Sequence, residues 1–174
     1  MIDNINQLNI STFMKKIFLA IIALVLALPA LADLPSVQLK DMNGNAINTA
    51  ELSNDGKPFV ISFWATWCKP CQRELKAIHE VYADWQDETG MKLIVVSIDE
   101  AQNAERVKTT IDGRGWEYEV ILDPNGEFKR QMGVQNPPHT FIVDANGNIV
   151  WNHQGYTDGC EEEIIEKIRE LIGE

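Results

Sequence analysis

The sequence predicts an α/β fold, a central mixed β-sheet flanked by helices and opened by an N-terminal β-hairpin. Three observations lead there. Short, continuously apolar runs rich in β-branched residues alternate with stretches whose apolar residues recur at helical spacing, the pattern of strands joined by crossover helices. Asn-Gly turn signals separate two pairs of short strands, which marks hairpins in the same sheet. A length of 174 residues with 45% hydrophobic content is enough for one domain with a substantial core.

Taken in order, residues 37–40 and 46–48 flank Asn43-Gly44-Asn45 and form the first hairpin. Residues 59–64 are apolar, with β-branched and aromatic members, and follow Gly56 and Pro58, so they read as a buried strand. Leu75, Ile78, Val81 and Tyr82 then recur at helical spacing, which predicts a helix from Pro70 to about Trp85. Residues 91–98 supply a second buried strand and 104–111 a second helix, closed with the help of Gly113. A third strand at 118–122 ends in the turn Asp123-Pro124-Asn125-Gly126. Residues 140–143 and 148–153 flank Ala145-Asn146-Gly147 as an antiparallel hairpin, and Ile164, Ile165, Ile168 and Leu171 form one face of a closing helix.

The N-terminus reads differently. Lys15 and Lys16 precede an apolar run at 17–28, which ends at Pro29 and the small-residue triplet Ala30-Leu31-Ala32. That is the form of a secretory signal peptide cut after Ala32. Its roughly 12 apolar residues fall short of the ~20 that span a bilayer, so no stable membrane insertion is expected after cleavage. The expected organisation is therefore an upstream extension at 1–13 before a true start at Met14, a signal peptide at 14–32, and one domain at 33–174. Its product would be soluble in the periplasm or another extracytoplasmic space, and anchored only if uncleaved. A formal charge of −11 without a Lys/Arg cluster argues against nucleic acid as a partner.

The chemistry lies where the first buried strand gives way to a helix. Trp67-Cys68-Lys69-Pro70-Cys71 puts two thiols in or beside one helical turn, close enough to close a small disulfide ring. Unsatisfied N–H groups at a helix start favour a thiolate at the first cysteine, and Lys69 would act in the same direction. Attack on a disulfide needs a thiolate, and turnover needs a second thiol to break the mixed disulfide, so Cys68 is the candidate nucleophile and Cys71 the resolving partner. A static disulfide and half of a zinc site are the competing readings. Zinc wants four ligands, whereas only Cys160 remains and the histidines are scattered at 79, 139 and 153. No metal site is expected. Cys160 opens the last helix without an obvious partner.

The stretch from Phe63 through Cys71, preceded by Gly56-Lys57-Pro58, resembles the active-site region of TlpA/ResA-type thioredoxin-like thiol–disulfide oxidoreductases. Pro138-His139-Thr140-Phe141-Ile142-Val143-Asp144 is similar to the family segment that carries a cis-proline, and Asn146-Gly147 matches the hairpin turn after it. The resemblance spans most of 34–171. It implies a thioredoxin-like fold with an inserted helix-strand unit between Cys71 and Pro138, and a cis Pro138 packed beside the active site. Pro137, Pro138 and His139 would then help dock substrate, and Pro137 departs from the pattern because it has no N–H to offer a client backbone. Thioredoxin buries an Asp on the strand, where this chain has Ser62. Relatives of the TlpA/ResA type instead carry a Glu one turn past the second cysteine, which here is Glu74, a proton acceptor on the same helix face. Trp64 and Trp67 are expected to pack around the sulfurs, with Trp67 lining the docking surface, while Lys69 and Pro70 form the active-site dipeptide between the two cysteines.

The resemblance further implies reduction of disulfides in extracytoplasmic client proteins, with electrons from a membrane-bound thiol reductase, in a process such as cytochrome c maturation. No cofactor beyond the redox-active Cys68–Cys71 pair is called for. Two other readings stay open: a dithiol oxidant, because exchange runs in either direction, and a copper-binding or delivery module using Cys68, Cys71 and His139.

Overall fold

The computed structural model describes residues 32–173, so the extension and nearly all of the signal peptide expected upstream lie outside the described residues. Eight strands form one sheet: β1 (Ala32–Asp33), β2 (Gln38–Asp41), β3 (Ala46–Asn48), β4 (Phe59–Trp64), β5 (Lys92–Ser97), β6 (Glu119–Leu122), β7 (His139–Val143) and β8 (Asn148–Gln154). Their spatial order is β1-β8-β7-β4-β5-β6-β2-β3. The pairs β4–β5 and β5–β6 are parallel, and every other neighbour is antiparallel, so the sheet is mixed as expected. Strand β4 is central and buried at all six positions, which explains its unbroken apolar run.

Four helices cover the sheet: α1 (Lys69–Thr89), α2 (Ala104–Arg114), α3 (Glu127–Gln131) and α4 (Glu161–Ile172). On one face, Leu75 and Ile78 of α1, Val107 and Ile111 of α2, and Ile164, Ile165 and Ile168 of α4 pack with Val60, Trp64, Leu93 and Val95. On the other, Phe59, Ile61 and Phe63 meet Phe128 of α3, Phe141, and the N-terminal residues Leu34, Val37 and Leu52. The period-two alternation of β4 thus feeds two separate cores. Among the described residues, no helix is long and apolar enough to cross a membrane.

Several local details depart from the sequence reading. Helix α1 runs past Trp85 to Thr89, because Gly90 at φ 65° is the residue that takes the left-handed closing conformation. Gly113 lies inside α2, and the closing residue is Gly115, again at φ 65°, whose N–H reaches the carbonyls of Asp112 and Ile111. The turn at 123–126 forms, with the Gly126 N–H donating to the Asp123 carbonyl at 3.0 Å, but it leads into a helix the sequence reading lacks. There the buried Asp123 carboxylate accepts from the N–H groups of Glu127 and Lys129, at 2.7 and 2.8 Å. The two-residue strand β1, paired with Asn148 and Ile149 of β8, also goes beyond the elements expected.

Candidate active site

Strand β4 ends at Trp64, the chain crosses 65–67, and α1 begins at Lys69 with Cys68 as its N-cap. Cys68 holds an extended backbone, and its Sγ accepts from the Cys71 N–H at 3.2 Å. Pro70 sits in the first turn, where a helix loses nothing by its missing N–H. Cys68 and Cys71 are joined as a disulfide with Cα atoms 5.3 Å apart. Their environments differ: Cys68 keeps 5% of its surface open, whereas Cys71 has none. A partner sulfur can therefore approach Cys68 alone. Beside it Trp67 is 60% exposed, an apolar surface at the mouth of the site, and Lys69 is exposed at the first helical position.

Below the disulfide lies a closed polar cluster. Glu74 is buried on α1, one turn past Cys71. Its Oε1 accepts from the Thr140 hydroxyl at 2.8 Å, and its Oε2 lies 3.4 Å from the Ser62 hydroxyl. The two hydroxyl oxygens are 3.1 Å apart. Burial pushes the Glu74 carboxyl up to about 7, with the hydroxyls of Thr140 and Ser62 pulling the other way and the charge of Glu161 adding to the rise. A carboxyl at that value changes protonation near neutral pH, which is what a proton acceptor for a buried thiol must do. The sequence pairs Ser62 with the position of thioredoxin's Asp; in the structure Ser62 is a hydrogen-bond partner of the glutamate.

The bond between Pro137 and Pro138 is cis. Because β7 runs antiparallel to β4, with Phe63 opposite His139, the two prolines lie at the end of the sheet from which the chain leaves for Cys68. Pro138 is buried and its carbonyl accepts from the Gly155 N–H at 2.8 Å; Pro137 is half-buried. Strand alternation separates the next two residues. Thr140 faces Glu74, whereas His139 stacks on Phe141, with ring centroids 4.3 Å apart, on the opposite side of the sheet. The His139 Nε2 meets the Asn152 side-chain oxygen at 3.1 Å and its Nδ1 is buried without a hydrogen-bond partner. Burial lowers its pKa, the Asn152 contact opposes this, and nearby His153 adds to the lowering. The structure thus brings Cys68, Cys71 and Glu74 together with Thr140 and Ser62, and turns His139 into the core behind them. Cys160, at the start of α4, is half-buried, and its thiol is pushed up by burial and by the charges of Glu74 and Glu161.

Thr140 escaped the sequence reading as a site residue. A single hydroxyl within an otherwise apolar strand is a weak signal, and only the pairing of β4 with β7 sets Thr140 beside Ser62.

A dithiol–disulfide pair at the N-terminus of a helix, beside a cis-proline and above a buried carboxyl in a thioredoxin-like sheet, defines a thiol–disulfide oxidoreductase. Comparison with known proteins agrees. The AhpC/TSA family profile matches residues 31–152, and the chain belongs to that family. It is 30% identical over 137 residues to the thiol-disulfide oxidoreductase ResA of Bacillus thuringiensis subsp. konkukian, covering 78% of this chain and 76% of that one. With the ResA of Halalkalibacterium halodurans it shares 29% over 134 residues, 77% and 72% of the two chains. A thioredoxin-like protein from Porphyromonas gingivalis, solved in solution, superposes with a TM-score of 0.73 at 64% identity, covering 80% of this chain and 92% of that one.

Proposed function

We propose that the chain reduces disulfides in extracytoplasmic client proteins, that a membrane-bound thiol reductase returns it to the dithiol form, and that it needs no cofactor beyond Cys68 and Cys71. Apocytochromes awaiting haem attachment in cytochrome c maturation are one client class of this kind. The observation that supports the reading most is the buried Glu74 carboxyl, titrating at about 7 one turn from the sealed Cys71. In the forward direction the Cys68 thiolate attacks a client disulfide, forming a mixed disulfide and releasing the client's other sulfur as a thiolate. Glu74 then takes the proton from the Cys71 thiol. The Cys71 thiolate attacks the Cys68 sulfur, expels the second client thiolate and closes the Cys68–Cys71 disulfide. Two electrons pass to the client, and a reductase dithiol restores them. The burial of Cys71 fits this order, since its proton has no solvent path and a local acceptor is required.

Rapid acid quench of native cells, followed by thiol trapping, tests the direction. A pair held mainly reduced supports the proposal; a pair held mainly oxidised makes the protein a disulfide donor. In vitro, Cys68→Ser is expected to abolish reduction of insulin disulfides, and Cys71→Ser to accumulate mixed disulfides visible on non-reducing gels. Undiminished insulin reduction by the Cys68 variant would refute the mechanism.

A further inference from the structure

The loop that presents Cys68 is held by a device outside the reacting groups. Thr66, two residues before Cys68, has each of its polar groups bonded by a side chain. Its N–H donates to Asp99 Oδ2 at 2.8 Å and its hydroxyl to Asp99 Oδ1 at 2.6 Å. Its carbonyl accepts from Gln72 Nε2 at 2.6 Å. Gln72 is itself fixed by Arg114, whose Nη2 donates to its Oε1 at 2.6 Å and whose guanidinium lies 5.1 Å over the Trp116 ring. Asp99 is 5% exposed, and the Ser97 hydroxyl donates to its Oδ2 at 3.0 Å. Among the described residues no cation pairs with it. A buried carboxylate satisfied only by neutral donors is costly to hold, and it orients those donors strongly because its hydrogen bonds are charge-assisted.

We propose that Asp99 is a positioning residue for Cys68: it grips Thr66 at two points, with Gln72 holding the third, and so keeps the segment at 65–67 in the path that leaves Cys68 extended as the helix cap. The inference rests on the reading of Cys68 as the attacking sulfur. Asp99 reaches that sulfur only through the backbone of Thr66 and Trp67. Without the grip, Cys68 would leave the cap geometry for part of the time, and its thiolate would lose the N–H groups that stabilise it.

The test is the pH profile of Cys68 alkylation by iodoacetamide in the reduced protein, in a Cys160→Ala background, with the modified residue assigned by peptide mass. No client is needed, so the profile can be read whether or not the chain reduces insulin, and the two proposals fail separately. Asp99→Asn is expected to move the midpoint to higher pH and to slow alkylation at neutral pH roughly fivefold, the scale on which a lost helix cap acts. Thr66→Val should move it the same way by less, and the double variant should be no slower than Asp99→Asn alone. General destabilisation lowers the melting temperature without displacing this midpoint. A profile that superposes on the wild type overturns the proposal. So does a midpoint that falls, because removing a nearby negative charge would itself favour the thiolate. Slowing factors that multiply in the double variant overturn it as well. Should Asp99→Asn fail to fold, an unshifted Thr66→Val profile overturns the proposal alone and a shifted one supports it.

Discussion

Glu74, the proposed proton acceptor, also links stability to pH through one proton. Its carboxyl in the folded protein titrates at about 7 against an ordinary 4.5, because burial penalises the charge. The folded chain therefore binds that proton more tightly than the unfolded chain does. The associated stability is full below about pH 4.5 and is lost as the pH rises through about 7. A displacement of this size corresponds to about 3 kcal/mol. Glu74→Gln should accordingly flatten the fall in urea-unfolding free energy between pH 4.5 and pH 8 by up to that amount, and slow insulin reduction near neutral pH. Parallel stability curves for the two proteins would show that this carboxyl does not titrate in that window. Glu74 was legible through the family resemblance, which implies a Glu one turn past the second cysteine, and position i+3 from Cys71 then places it on that helix face. The sequence did not show the Thr140 hydroxyl, whose place depends on a strand 66 residues away in the chain.

Among the elements, those with strong periodicity or an unbroken apolar run were readable, and those stabilised by a single distant contact were not. Strand β4 and helix α1 are of the first kind. Helix α3 is of the second: five residues long, it owes its start to the Asp123 carboxylate, which looks in the sequence like part of a turn and also caps the next element. Asp123→Ala removes two charge-assisted acceptors from a buried site. It is expected to destabilise the protein by about 2–3 kcal/mol, measured by urea unfolding, and to loosen α3 first in amide exchange. A change below about 0.5 kcal/mol would mean that water or a neighbour satisfies those N–H groups equally well. Similarly, Gly113 and Gly115 are indistinguishable as closing residues by composition, and only Gly115 adopts the left-handed backbone that ends α2. The β1–β8 pairing covers two residues at the edge of the sheet, too little for any local pattern to announce.

At the scale of the described domain, the two cores lie on opposite faces of the sheet, and β4 contributes to both. Phe63 is its most connected aromatic on the second face, with its ring centroid 5.2 Å from that of Phe128 and 5.9 Å from that of Phe141. Phe63→Ala should cost about 3–5 kcal/mol, read as a lower urea midpoint with an unchanged slope if the domain still unfolds as one unit. A broadened or two-step transition would show that the two faces unfold separately. The fold class was legible because alternating strand and helix patterns leave few ways to cover a mixed sheet. The grip on Thr66 was not, because it joins a loop, a strand end and a helix surface that are remote in sequence. The sulfur proposed to attack the client is also the atom that caps α1, and this has an electrochemical meaning. Redox state and folding form a closed thermodynamic cycle. Any difference in the free energy of folding between the two redox forms must reappear as a displacement of the reduction potential from that of the unfolded dithiol, about 30 mV for each 1.4 kcal/mol. Two denaturation curves, recorded with and without reductant, thus amount to a voltmeter for this site.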